Sequence, residues 1–364
     1  MKIKFFYVWF LSVFCFASVP ATQPKIQIAL LLDASGSMDG LINQAQSKLW
    51  QLVSELATAK KQGKTATLEV ALYMYGHDSL ARSEDYVKCL EPLTTDLDRI
   101  SEVLFQIQTN GGEEYCGSVI QQAIALPWSS NPKDYKAIFI AGNEPFNQGP
   151  VDFKKACSAA ISQGIIVNTI FCGDAQEGIR TSWKAAAQMA DGTYMTLDHQ
   201  RQVAQISTPQ DSEILTLGTM LNETYVGYGA TGSKAKRRQE RQDANAVEMS
   251  EEAAVARTVA KASPAYQTES WDLVTAVSAG SVELEGLEKE SLPPELQDKS
   301  PQEQKAYLSA LEKKREEIKS QIAQLKAKRE QFLATSATKD ESLSSVMLNA
   351  IRGQITRLNF ELPQ

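Results

Sequence analysis

The stretch Ile26-Gln27-Ile28-Ala29-Leu30-Leu31-Leu32-Asp33-Ala34-Ser35-Gly36-Ser37-Met38 decides the fold. A nearly unbroken apolar run of this length, stopped by small and polar residues, is what a strand buried on both faces looks like. Beyond it Ile42, Ala45, Leu49, Val53 and Leu56 recur at helical spacing until Gly63 ends the pattern. Strand, polar turn and amphipathic helix in that order form the first unit of an α/β sheet. The same alternation continues outward. Strands are expected over 67–75, 86–90, 137–140, 165–171 and 193–197, and helices over 97–107, 118–126, 153–162 and near 179–189, with Gly111-Gly112 as a break. The expected fold is α/β, a doubly wound, mostly parallel six-stranded Rossmann-like sheet with helices on both faces.

Asp33, Ser35 and Ser37 leave the carboxyl end of that first strand, the edge where open α/β sheets hold their ligands. One carboxylate and two hydroxyls are hard oxygen donors, suited to Mg²⁺ with Mn²⁺ or Ca²⁺ as alternatives. The same residues also suit a helix N-cap, so spacing alone leaves both readings open.

In these residues, in the Gly111-Gly112 loop, in the fourth strand and in the strand 167–171, residues 25–228 resemble a von Willebrand factor type A (VWA) domain. The resemblance implies a metal-ion-dependent adhesion site on Asp33, Ser35 and Ser37. It also marks two departures. Where the family has Gly-Gly-Thr, this chain has Gly111-Gly112-Glu113-Glu114, and where it has Thr-Asp-Gly, this chain has Ala141-Gly142-Asn143-Glu144. Glu113 is therefore the expected additional ligand, or else a plug of the open position, with Glu114, Asn143 and Glu144 as further candidates. With Trp271-Asp272-Leu273-Val274 included, the resemblance extends to exported bacterial proteins carrying this domain and a helical tail, which supports a binding role without naming a partner.

Length and composition agree. The chain has 364 residues, 43% hydrophobic and 22% charged, which fits globular domains, about two or three of them. A net charge of -7 argues against nucleic acid as the partner. With only His77 and His199, a histidine-rich zinc centre is excluded. Residues 1–21 read as a secretory signal peptide, Met1-Lys2-Ile3-Lys4 followed by an apolar run and Val19-Pro20-Ala21, so the protein is expected to be exported, periplasmic or extracellular, with no membrane span after cleavage. Cys89, Cys116, Cys157 and Cys172 would remain, and an even count in an exported chain suggests two disulfides.

After the 22–228 domain, Gly229, Gly232 and the basic patch Lys234, Lys236, Arg237, Arg238 and Arg241 read as a linker opening a partly helical segment, 229–300. In 301–364, Leu311, Ile318, Leu325 and Phe332 repeat every seven residues, and Leu343, Met347, Ile351, Ile355 and Leu358 form a second stripe. A helical hairpin or coiled-coil-like tail, able to self-associate, is the expectation. Arg315 and Arg329 inside the seam favour a helix packed within the chain or on a partner over a regular two-stranded coil.

The expected function is a non-enzymatic protein-interaction or adhesion module. An assembly protein with a vestigial site, driven by the tail, is the alternative. A metal-assisted hydrolase is the weaker one, since neither Ser35 nor Ser37 has a base at recognisable spacing and no G-x-S-x-G elbow is present.

Overall fold

β1 (Lys25–Asp33) is buried from Ile26 onward because it lies in the middle of the sheet with a layer of helices on each face. The computed structural model describes residues 23–200, 206–335 and 342–362, so the expected signal peptide falls outside the described residues. After β1 come α1 (Asp39–Leu56), a two-stranded ribbon of β2 (Lys60–Lys61) and β3 (Lys64–Thr65), then β4 (Thr67–Tyr75) and β5 (Val87–Thr94). Helices α2 (Leu97–Leu104) and α3 (Cys116–Ala123) lead to β6 (Tyr135–Gly142), α4 (Phe153–Ser162) and β7 (Ile166–Phe171). The sheet closes with α5 (Ala175–Arg180), α6 (Trp183–Met189) and β8 (Tyr194–Thr196).

The six strands run in the order β5-β4-β1-β6-β7-β8, all parallel except β5, which is antiparallel to β4. This is the expected doubly wound sheet. Side chains alternate across β1: Ile28, Leu30 and Leu32 join one core with Leu49 and Val53 of α1, while Ala29 and Leu31 join the other with Val119 and Ile120 of α3. The chain winds outward from β1 through β4 and then returns on the other side with β6. That reversal falls between β1 and β6, the place where such sheets hold their ligands, and Asp33 and Gly142 stand there at the carboxyl ends of the two strands.

The helical region departs from expectation in two places. Residues 229–241 are no linker but the first part of α8 (Gly229–Met249), which packs on α2. Two contacts invisible in the composition hold it there: Arg238 pairs with Asp96, and Ser101 Oγ donates to Gln242 Oε1 at 2.9 Å. With α7 (Asp211–Asn222) and α9 (Glu251–Ala262), α8 builds a helical layer against the sheet domain, and α10 (Leu273–Ser278) packs on the helix that follows it.

The tail, α11 (Pro301–Ala334) and α12 (Leu343–Ile355), is not the expected hairpin either. α11 begins with a Ser300/Glu303 capping box and lays Ile318, Ile322 and Leu325 on the core of α7 and α9. Its two seam arginines are used within the chain: Arg315 bonds Asp272 at 2.6 Å, and Arg329 bonds Asp211 at 2.8 Å. The stripe of α12 instead enters the core of the sheet, where Met347, Ile351 and Ile355 lie with Leu30 and Trp50. Its Gln354 bonds Asn168 at 2.6 Å and accepts from the Tyr135 hydroxyl at 2.6 Å.

The expected disulfides are absent among the described residues: Cys89, Cys116, Cys157 and Cys172 are all free thiols. Their positions explain it, because Cys116 and Cys157 belong to one core, Cys172 to the core on the opposite face, and Cys89 is exposed on the edge strand β5. Burial pushes the Cys157 thiol up to about 12, which leaves it unreactive at neutral pH. In the native protein, alkylation mapped by mass spectrometry is expected to label Cys89 ahead of the other three, which react only on unfolding. Recovery of a cystine-linked peptide pair among these four would contradict the arrangement.

Candidate functional site

The turn after β1 is fixed by backbone bonds on both sides. Ala34 N donates to Tyr75 O at 2.8 Å, and Asn110 N donates to Ala34 O at 3.0 Å, so the loop 108–115 is laid across the end of β1. Met38 occupies the N-cap of α1 and no side chain caps it, so Ser35 and Ser37 are not helix caps. Their hydroxyls turn to one another, Oγ to Oγ 3.5 Å, and the Asn143 amide donates to Ser37 Oγ at 3.1 Å.

Asp33 is fully buried beside them. Its Oδ1 accepts from the Ser35 N–H at 2.8 Å, but Oδ2 has no hydrogen-bond partner. The Asn143 carbonyl oxygen Oδ1 is likewise buried without a partner. Burial pushes the Asp33 carboxyl up to about 6, against the downward pull of the Ser35 N–H. A carboxylate removed from water with half of its acceptors unmet calls for a proton or a cation.

Of the residues singled out in the sequence, Asp33, Ser35, Ser37 and Asn143 come together. Glu113 does not: it is exposed, and it is Glu114 that is buried on the Asp33 side of the loop. The reason is local. Gly112 runs so close to the backbone of Gly76 that a Cβ there would meet Gly76 O at 2.3 Å, and this fixed path sends residue 113 outward and residue 114 inward. Burial first, and then the charges of Asp33 and Glu144, push the Glu114 carboxyl up to about 7. Glu144 stays at the rim, where its carboxylate accepts from Gln148 Nε2 at 3.4 Å and its backbone oxygen accepts from Trp183 Nε1 at 2.8 Å.

One participant is not legible in the sequence pattern. The Tyr75 hydroxyl, at the end of β4, donates to Ala141 O at 3.0 Å and fills the space in front of Gly142. A Cβ at Gly142 would lie 2.5 Å from that hydroxyl and 2.9 Å from Asp33 Oδ2, so an aspartate in that position has no room while Tyr75 is there. Its only signal is an aromatic residue closing a strand one residue before Gly76.

The donors fit a hard divalent cation: Asp33, two hydroxyls and an unpartnered amide oxygen, all oxygen. Among the described residues no three carboxylate, thiol or imidazole groups converge as a metal cluster, so such an ion would lean on the hydroxyls as much as on charge.

No protein-family model matches the chain, and no curated protein matches it in sequence. Solved structures do resemble it. The conserved hypothetical protein BatB from Bacteroides thetaiotaomicron is 17% identical over 48% of this chain and 90% of its own, with a TM-score of 0.37. A von Willebrand factor type A structure from Catenulispora acidiphila is 16% identical over 49% of this chain and 40% of its own, TM-score 0.37. Proximal thread matrix protein 1 from the mussel byssus, with a zinc-occupied adhesion-site motif, is 12% identical over 49% of this chain and 43% of its own, TM-score 0.36. The structural neighbours are thus VWA-domain proteins, at low identity and over half of this chain. The fold itself is read from the sheet order and register given above.

Proposed function

We propose that this chain is an exported, non-enzymatic recognition module that holds a divalent cation, Mg²⁺ by preference, on Asp33, Ser35 and Ser37 and offers the carboxyl edge of its sheet to a protein partner. The observation that carries the reading is Asp33, fully buried, with Oδ2 unpartnered beside two hydroxyls. The geometry favours binding over catalysis: the Ser35 and Ser37 hydroxyls turn to each other and to the Asn143 amide, and the carboxylate beside them, Asp33, is the anchor of the cation itself. Of the two histidines, His77 is engaged in its own turn by Ser79 at 2.8 Å, and among the described residues neither His77 nor His199 is hydrogen-bonded to Ser35 or Ser37. Assembly through the tail is the less favoured reading, because α11 lays its apolar seam on α7 and α9 of the same chain. No described helix is long and apolar enough to cross a membrane. Export rests on residues 1–21, and recovery of the processed chain from the envelope or medium tests it.

Melting curves test the site. A cation at about a hundred times its dissociation constant adds about 2.7 kcal/mol to stability, worth a few degrees in a chain of this size. Mg²⁺, Mn²⁺ or Ca²⁺ should raise the melting temperature, and Asp33→Asn should remove the response. Identical curves in all three cations and in chelator would sink the proposal.

The same carboxyls give a pH signature. Asp33 and Glu114 both titrate higher in the folded protein, at about 6 and about 7, than in the unfolded chain, near 4. The folded state therefore binds more protons across that interval, and stability contributed by these groups falls as pH rises from about 4 to about 7. In chelator the slope should be present, in saturating cation it should flatten, and in Asp33→Asn it should be reduced.

A further inference from the structure

The cation reading leaves Glu114 without a role, although it is the more unusual residue: an acid 8% exposed, turned toward a second buried acid, with no ion pair of its own among the described residues. Its position is built by the backbone. Gly76 has a left-handed φ of 77°, and a Cβ on it would meet both Asp33 Oδ1 and Glu114 Cγ at 2.9 Å, so the two acids approach each other across a glycine that makes room for both. The loop carrying Glu114 is held down at Asn110, which bonds Ala34 O at 3.0 Å, and at Gly111, whose nitrogen lies 3.5 Å from where a Cβ of Gly36 would be. These contacts tie the start of that loop to the turn that carries Ser35 and Ser37.

From this geometry we infer that Glu114 is the internal carboxylate ligand of the cation site, completing with Asp33 a charge-balanced centre that is closed to a carboxylate from outside. The inference rests on the cation reading and sharpens it. Two carboxylates match the charge of one divalent ion, so the held ion has little remaining attraction for an incoming anion. The partner is then recognised by the protein surface around the centre, and the ion's part is to hold Asp33, Ser35, Ser37 and the 108–115 loop in one arrangement.

Mn²⁺ is a suitable probe, because its affinity and the number of waters it keeps are both read from water-proton relaxation. With the full chain, Glu114→Gln is expected to weaken Mn²⁺ binding about tenfold or more, the scale on which ligand charge tunes oxygen-donor sites. It should also add one exchanging water and let millimolar acetate displace that water, whereas acetate should leave the hydration of the wild-type centre unchanged. Glu113→Gln, one residue away and exposed, should change neither. Circular dichroism of both variants keeps folding out of the comparison. Equal affinity and equal hydration in wild type and Glu114→Gln would overturn the inference alone, whereas no Mn²⁺ binding by the wild type would overturn the cation reading and this inference with it.

Discussion

A chain cut after Tyr228 is expected to lose cooperative folding, although residues 22–228 contain every strand of the sheet. The reason lies in what the C-terminal region adds to the sheet's own core. Leu343, Met347, Leu348, Ile351, Ile355 and Phe360 are buried in the cluster that holds Ile28, Leu30 and Trp50. At about 1.5–3 kcal/mol for each large apolar side chain buried, their removal costs on the order of 10 kcal/mol, which is comparable with the whole stability of a domain. The cut also uncovers Asn168 and Tyr135, which lose Gln354 as a buried hydrogen-bond partner. Ending the chain at Thr335 isolates this effect, since it retains α8 to α11 and removes α12 with its flanking residues. Both truncated chains should bind a hydrophobic dye and show weak near-ultraviolet dichroism. A cooperative melt within about 5 °C of the full chain for the cut at 228 would restore the separable domain that the composition suggests.

That suggestion shows where the sequence stops being informative. β1, its polar turn and α1 are legible because their signals are local: an apolar run, a helical period, and three oxygen-bearing residues at fixed spacing. The missing aspartate at Gly142 is legible for the same reason. Which of Glu113 and Glu114 faces Asp33 is not, because a single backbone approach between Gly112 and Gly76 decides it, and those residues are distant in sequence. The glycines and basic residues of 229–241 carry the composition of a linker. They form a helix because Asp96 and Ser101, more than a hundred positions earlier, supply the partners. The second apolar stripe of the tail is legible as a stripe, but nothing in a helical period says which surface it will cover. Trp271-Asp272-Leu273-Val274 gains its meaning in the same way: Asp272 caps α10 through Thr275 N at 3.1 Å, accepts from Val226 N at 2.8 Å and receives Arg315 from α11.

Arg257→Met should destabilise the protein by about 3–5 kcal/mol, the usual cost of stranding a buried charge. Arg257 is 1% exposed and lies at the junction between the helical layer and the sheet domain. Its guanidinium pairs with Asp98 of α2, bonds Asp243 of α8 at 2.8 Å and stacks 4.1 Å from the ring centre of Trp50 in α1. Three elements are therefore tied to α9 through one planar cation, and methionine can replace only the packing. Lys261 does not substitute for it. Burial lowers its own pKa to about 8, and its ammonium is already spent on Asp243 at 2.6 Å and on Asn222. Asp98 keeps the Tyr266 hydroxyl as a donor but loses its counter-charge. Two further variants separate charge from packing. Arg257→Lys keeps the charge without the fork and should fall between wild type and Arg257→Met. Adding Asp98→Asn to Arg257→Met should recover part of the loss, because the cost comes from the unpaired carboxylate and the amide does not need a cation. Chemical denaturation of the four proteins measures all of these differences. If Arg257→Met unfolds within about 1 kcal/mol of wild type, the cluster is not what fastens the helical layer to the sheet domain, and the other contacts of α8 and α9 with α1 and α2 carry that junction.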